Sequence, residues 1–348
     1  MTAFRVATGA DDGVIRALLR ENGFPAWVEM AIEREPSFFA GAGLFGEDWA
    51  VIASEAREVV GMYTASVLPV HVDGVEQRLG YLGGLRVAPR HRRRIRHLRE
   101  GYASIRELAQ AKATLPWWFT AVSAGNRVAR RLLESGRAGL PTYHPLGRYV
   151  TLALPAARGK AGRRWRRASE SDARRIADFH NRTACQFQLS PSLSEDAVAR
   201  IGAESFFVHE AGGRLLALAA LWDQRPFKQV VARSYRKPIG ALVPAYNALA
   251  AVLRRTPLPA EGQRLEHTFV AFLAMADAAA GDALPLVQEL LSHCRTPVAS
   301  LGLHASSELL PALRALAPIR YESCLYAVGF DSVPALGGLR VQPEAALL

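Results

Sequence analysis

The chain has 348 residues, enough for two domains at about 150 residues each. With 50% hydrophobic and 22% charged residues, it is not a disordered, collagen-like or coiled-coil chain. Its 43 Lys+Arg against 32 Asp+Glu leave a net charge of +11, which favours phosphate-bearing partners: a nucleotide-like cofactor, a nucleic acid or an acidic membrane.

Only Lys112, Lys160, Lys228 and Lys237 are lysines. The arginine excess suits two-pronged phosphate contacts, although a GC-rich coding sequence gives the same bias. Cys185, Cys294 and Cys324 are far apart, which argues for a reducing, cytoplasmic setting over a disulfide framework or zinc site. The N-terminal stretch carries acids and nowhere do 18 apolar residues run without charge, so neither an export signal nor a membrane span is expected.

In chain order, Phe4–Thr8 reads as a strand running into a Thr/Asp cap and an amphipathic helix. A second helix is sketched before the strands Trp49–Ala53, Glu58–Leu68 and Arg78–Val87. Helices at His97–Ala113 and Asn126–Glu134 flank a strand at Trp117–Val122, and Tyr149–Leu154 is β-prone. The small, basic run Pro155–Arg163 reads as a linker.

Beyond it the pattern recurs. Trp165-Arg166-Arg167-Ala168-Ser169 with Asp172, Ile176 and Phe179 repeats Phe4-Arg5-Val6-Ala7-Thr8 with Asp11, Ile15 and Leu18 at an offset of 161 residues. Strands follow at Phe206–Glu210, Leu215–Trp222, Gln229–Ser234 and Thr268–Met275. Then come helix Pro285–Cys294, strand Val298–Leu303, helix Ser307–Leu316 and strand Tyr321–Gly329. One helical insertion, near 237–263, interrupts the second copy. The expected class is α/β with a mixed sheet, in two tandem domains: 1–155, a linker at 156–164, 165–333, and a tail at 334–348.

The segment Gly80–Leu98 places a strand, a Pro89 stop and an arginine-rich turn before a helix. Amides at a helix start together with arginines make an anion cradle suited to pyrophosphate. The six arginines between Arg90 and Arg99 would also serve a nucleic acid.

Val87-Ala88-Pro89-Arg90-His91-Arg92, followed by a helix, a strand and Asn126-x-x-Ala129-x-x-Leu132-Leu133-Glu134, resembles the GNAT acyltransferases, whose signature is V-x-P-x-x-R/Q-x-x-G-x-G/A and then N-x-x-A-x-x-L-Y-E. The resemblance covers about the first 150 residues. It implies acetyl-CoA as cosubstrate. Leu85, Arg86 and Val87 would offer main chain to the pantetheine, Arg92, Arg93, Arg94, Ile95, Arg96 and His97 would hold the pyrophosphate, and Asn126 would face the thiol end. Two signature glycines are replaced by Ile95 and His97, the usual tyrosine acid by Leu133, and the usual glutamate base by Tyr81. The second half shares element order only: its loop carries Asp277 and Asp282, and Phe269 stands at the base position.

Candidates for catalytic duty are Tyr81, Ser123 and Tyr143, with Trp222, Asp223 and Lys228 as possible substrate contacts. No His/Asp/Glu/Cys run has metal-ligand spacing, so no metal is expected. The expected reaction is direct acetyl transfer to a small-molecule or peptide amine. A CoA or anionic-metabolite binding module without turnover is the alternative, and a nucleic-acid binder ranks third. No membrane partner is expected, and the oligomeric state stays open.

Overall fold

The computed structural model describes residues 2–23, 28–56, 58–88, 91, 95–111, 115–137, 139–157, 162–252, 257–317, 319–331, 333 and 335–348. The first half runs β1 (Ala3–Val6), α1 (Asp12–Glu21), β2 (Val28–Glu33), β3 (Glu47–Glu55), β4 (Glu58–Val72), β5 (Val75–Val87), α2 (Ile95–Ala111), β6 (Trp117–Ser123), α3 (Arg127–Leu133) and β7 (Thr142–Pro155). The second runs β8 (Trp165–Arg167), α4 (Ala173–Ala184), β9 (Phe187–Gln188), α5 (Glu195–Ile201), β10 (Phe206–Ala211), β11 (Arg214–Trp222), β12 (Gln229–Tyr235) and α6 (Ile239–Val252). It continues through β13 (His267–Met275), α7 (Ala283–Leu290), β14 (Val298–His304), α8 (Leu310–Leu316), β15 (Ile319–Gly329) and β16 (Arg340–Val341).

The repeat at offset 161 survives in the hydrogen bonds. Arg5 grips Asp11 with both terminal nitrogens at 2.8 and 2.7 Å, and Asp11 accepts from the Thr8 amide at 2.8 Å. Arg166 grips Asp172 at 2.8 and 3.0 Å, and Asp172 accepts from the Ser169 amide at 3.0 Å. Each aspartate closes a capping box that starts the following helix. The arginine hydrogen bonds hold both carboxyls well below the usual carboxylate range.

A twelve-stranded sheet runs through both halves in the order β1-β3-β4-β5-β6-β15-β7-β14-β13-β11-β10-β8. Its centre is an exchange. β15, the last long strand of the second half, pairs with β6 along Ser323↔Ser123 to Gly329↔Trp117, and β7 of the first half pairs with β14 along Val298↔Pro155 to His304↔Tyr149. The two exchanged strands lie against each other from Ile319↔Ala153 to Gly329↔Thr142. One buried cluster accordingly joins Tyr81 and Phe119 with Trp222, Phe272 and Leu325.

Two sequence expectations change. The segment sketched as a second helix before Trp49 contains β2, and β12 leaves the main sheet to pair with it, antiparallel from Gln229↔Glu33 to Tyr235↔Val28. Val28, Met30 and Ile32 alternate with polar or small residues, a strand period, and the partner strand lies far along the chain, with Arg233 meeting Glu33 and Ser234 Oγ donating to Glu29 at 3.0 Å. β11 therefore pairs directly with β13, and the insertion comprises β12 as well as α6. The residues after 334 pack onto the body: β16 pairs with β9, and Ala345 and Ala346 are buried.

Candidate functional site

β5 and β6 run parallel and pair only over Gly80↔Trp118, Tyr81↔Phe119 and Leu82↔Thr120. At that fork the Thr120 hydroxyl donates to the Leu82 carbonyl at 2.6 Å. Beyond it, residues 83–87 and 121–123 diverge. On the other edge of β5, a bulge against β4 falls where Gly84 adopts φ +57°. A Cβ there would meet Thr64 at 2.7 Å, so this turn of the main chain requires glycine. The parted strands open onto a cavity of about 490 Å³. The second half adds Trp222, Lys228, His267, Phe269 and residues 345–348 to walls that the first half also supplies.

The second half repeats this construction and then fills it. β13 and β14 pair in parallel only from His267↔Val298 to Phe269↔Ser300. A register shift against β11 falls where Phe272 adopts φ +54°, a conformation costly for an aromatic residue. The Phe272 amide donates to Glu344 Oε2 at 2.7 Å, and Glu344 Oε1 accepts from the Ala346 amide at 3.1 Å. Burial pushes the Glu344 carboxyl up to about 7 even though main-chain amides and Lys228 draw it down. Tyr149 Oη donates to the Pro343 carbonyl at 2.7 Å, fastening the same segment.

By sequence, no family model and no curated protein matches the chain. Among solved structures it is similar to N-myristoyltransferase of Saccharomyces cerevisiae with bound myristoyl-CoA, at 13% identity, covering 97% of this chain and 85% of that one with a TM-score of 0.58. It is also similar to a GCN5-related N-acetyltransferase of Kribbella flavida (14% identity, 94% of this chain, 70% of that one, TM-score 0.50). A third, from Anabaena variabilis ATCC 29413, is 8% identical and covers 93% of this chain and 72% of that one, with a TM-score of 0.51. The fold is that of the GNAT acyltransferases.

In this GNAT fold, Leu85, Arg86 and Val87 line the cavity. Arg86 donates to the Leu85 carbonyl at 2.9 Å, and burial lowers its guanidinium to about 10, with Tyr321 and Tyr81 opposing. Asn126 reaches the cavity and also caps α3, its Oδ1 accepting from the Ala129 amide at 3.1 Å. Arg92, Arg93 and Arg94 lie outside the described residues; the main chain of Ile95 and Arg96 opens α2.

Tyr81 and Ser123 are buried at the cavity wall, and burial raises the Tyr81 phenol above its ordinary value. Tyr143 also lines the cavity, but its hydroxyl is engaged with that of Tyr102, and burial raises it well above 10. That bond makes Tyr143 part of a buried tyrosine pair. Trp222 and Lys228 reach the cavity; Asp223 does not. Its carboxylate turns to Arg225 at 2.7 Å, a short-range pairing within the connection from β11 to β12.

Sequence reasoning missed His267, whose Nδ1 lies 2.9 Å from Ser300 Oγ and which burial lowers to about 4. It also missed Arg34 and Asp48, which line the cavity from the first half. Lys228, 7% exposed, donates to the Ala346 and Leu348 carbonyls at 3.2 and 2.9 Å. Burial, then Arg34, lowers it to about 7, against the pull of Asp48 and Glu344.

The fold further gathers Glu55, His91 and His97, whose potential ligand atoms lie within 4.8 Å of one another. This is a grouping that linear spacing hid, and it is chemically able to hold a cation. In the structure as it stands, His97 Nε2 lies 2.7 Å from Glu55 Oε1, tying the start of α2 to the β3–β4 hairpin.

Proposed function

We propose that the chain transfers an acyl group from acyl-CoA to an amine, the first half holding the thioester and the second walling the acceptor side. The observation that carries this reading is the parted β5–β6 pair, with the left-handed bulge at Gly84, opening on a cavity shared by both halves. Main-chain groups of residues 84–87 would lie along the cofactor arm, and an amide there, Val87 in the sequence reading, would polarise the thioester carbonyl. The turn at 92–97 would receive the pyrophosphate. We read 1–155 and 165–333 as tandem GNAT-like domains that exchange terminal strands, working in the cytoplasm.

An attacking amine must lose a proton. Lys228 in its amine form donates its two N–H groups to the Ala346 and Leu348 carbonyls and retains a lone pair. With its ammonium lowered to about 7, it exchanges a proton at neutral pH. Tyr81, kept protonated by burial, is a donor for the departing thiolate. Among the described residues no cysteine lines the cavity, which supports direct attack over an acyl-enzyme.

Acetyl-CoA is the first donor to test. Apolar wall residues such as Phe45, Leu68 and Phe269, together with the likeness to a myristoyl-CoA-bound structure, make a long-chain acyl-CoA the second. Calorimetry on the intact protein and on the triple variant Arg92→Ala/Arg93→Ala/Arg94→Ala tests the site. Binding that weakens in the variant supports it, and absence of binding to either donor sinks it. The alternative of binding without turnover draws on Ile95 and His97 at the glycine positions, His97 being committed to Glu55. It expects donor binding with no CoA release for any amine.

A further inference from the structure

The insertion that supplies one cavity wall also carries an unusual helix. α6 has 14 residues, none of them charged. Its inner side is seated: Val243 packs in a cluster with Val28, Ala232 and Tyr235 of the β2–β12 ribbon. Its outer side presents Leu242, Leu249 and Val252, which are 62%, 56% and 78% exposed, alongside exposed Ala241, Pro244, Ala245 and Ala248. Every exposed residue described in this helix is therefore apolar, the reverse of an ordinary surface helix. A continuous apolar face of this kind marks an interaction surface.

The charge around the helix selects the partner. Exposed Arg236 and Lys237 precede it, one proline away, and Arg254 and Arg255 follow it in sequence. A second copy docked helix to helix in parallel would set Arg236 and Lys237 against their own counterparts, with no acid in the helix to offset them. An anionic lipid surface satisfies both features, since apolar side chains enter the acyl boundary while arginine and lysine meet the phosphates. At about 1.5 Å per residue the helix is far shorter than the ~30 Å hydrocarbon core, and no described helix is long and apolar enough to cross a membrane.

We propose that α6 is an interfacial helix that docks the protein on anionic lipid. The sequence holds no apolar span and so implies no membrane partner; which side of α6 faces water emerges only once the ribbon beneath it has formed. Met30, Ile32 and Val230 of that ribbon line the cavity. Docking through α6 thus brings the cavity wall to the lipid boundary, whatever reaction the cleft performs.

The test is co-sedimentation of the full chain with phosphatidylcholine vesicles, with and without phosphatidylglycerol, across a salt series. The expected result is binding to the anionic vesicles that weakens with salt. The variant Leu242→Glu/Leu249→Glu should bind at least about tenfold more weakly. Arg236→Ala/Lys237→Ala should lose about fivefold per residue. Both pairs are exposed and lie outside the cavity, so the thermal midpoint should stay unchanged and serve as the folding control. Failure of the intact protein to bind either vesicle overturns the proposal, as does binding that the Leu242→Glu/Leu249→Glu variant retains. A dimer in the ultracentrifuge that this variant splits, without vesicle binding, would assign the face to a second copy instead.

Discussion

The two halves build the same fork and use it in opposite ways. In the first, parallel strands part beside a left-handed glycine and leave a cavity. In the second, they part beside a left-handed phenylalanine, and the chain's own Glu344 takes the Phe272 amide. An amide at such a fork suits an oxygen anion. The second half supplies one from a side chain, whereas the proposed function has a thioester oxygen arriving at the first. The same geometry thus serves two ends, one fork open onto a cavity and the other closed into core.

The largest effect should come from closing the open fork. Gly84→Val forces a branched side chain into the left-handed region and against Thr64, at about 1–3 kcal/mol of strain. Acyl-CoA affinity in calorimetry should fall by about ten- to a hundredfold. Unsealing the closed fork should act on stability instead. Glu344→Ala leaves the Phe272 amide without its acceptor, costing about 1–3 kcal/mol, read in thermal denaturation with donor affinity retained. An affinity loss as large as that of Gly84→Val would show that the two forks are not separate in function.

Glu344 also yields a signed pH dependence. Its folded value, about 7, lies above its ordinary one, so the native state holds a proton that the unfolded chain releases from about pH 4.5 upward. Its contribution to stability is therefore present below that pH and declines as pH rises towards 7. Glu344→Gln should gain stability relative to the native protein across that window, in paired melts at each pH. His180 and His267, both lowered by burial to about 4, are common to the two proteins and cancel in the difference. For Lys228, the rising limb of acyl transfer near pH 7 should vanish in Lys228→Met, in a pH profile of thiol release. The smallest effect should come from the repeated caps. Asp11→Asn and Asp172→Asn should each cost about 1–2 kcal/mol, and a clear inequality would show that one copy has drifted from the shared role.

Local chemistry was legible in the residues. Arg5, Thr8 and Asp11 announce the first cap and Arg166, Ser169 and Asp172 the second, because each set acts within a few positions. The Val87, Pro89 and Arg92 pattern at the end of β5, with the Asn126 helix start, pointed to the fold that the solved structures share. What stayed hidden depends on distant partners. Nothing in Val28–Glu33 names Gln229–Tyr235 as its neighbour, and Glu344 looks like a tail residue until Phe272 turns its amide outward. Lys228 was singled out for its turn, but its lowered ammonium arises from burial and from Arg34, nearly 200 residues away in sequence. Asp223, in the same connection, pairs with Arg225 two residues on, a contact short enough to be local.

The exchange of β7 and β15 dictates an order of synthesis. When residue 155 leaves the ribosome, β6 and β7 are both complete, yet the strand that belongs between them has yet to be translated. Two bare strand edges must therefore wait for β15, the sort of exposure that invites edge-to-edge aggregation. Neither half can close its part of the sheet alone, because β15 pairs with both β6 and β7.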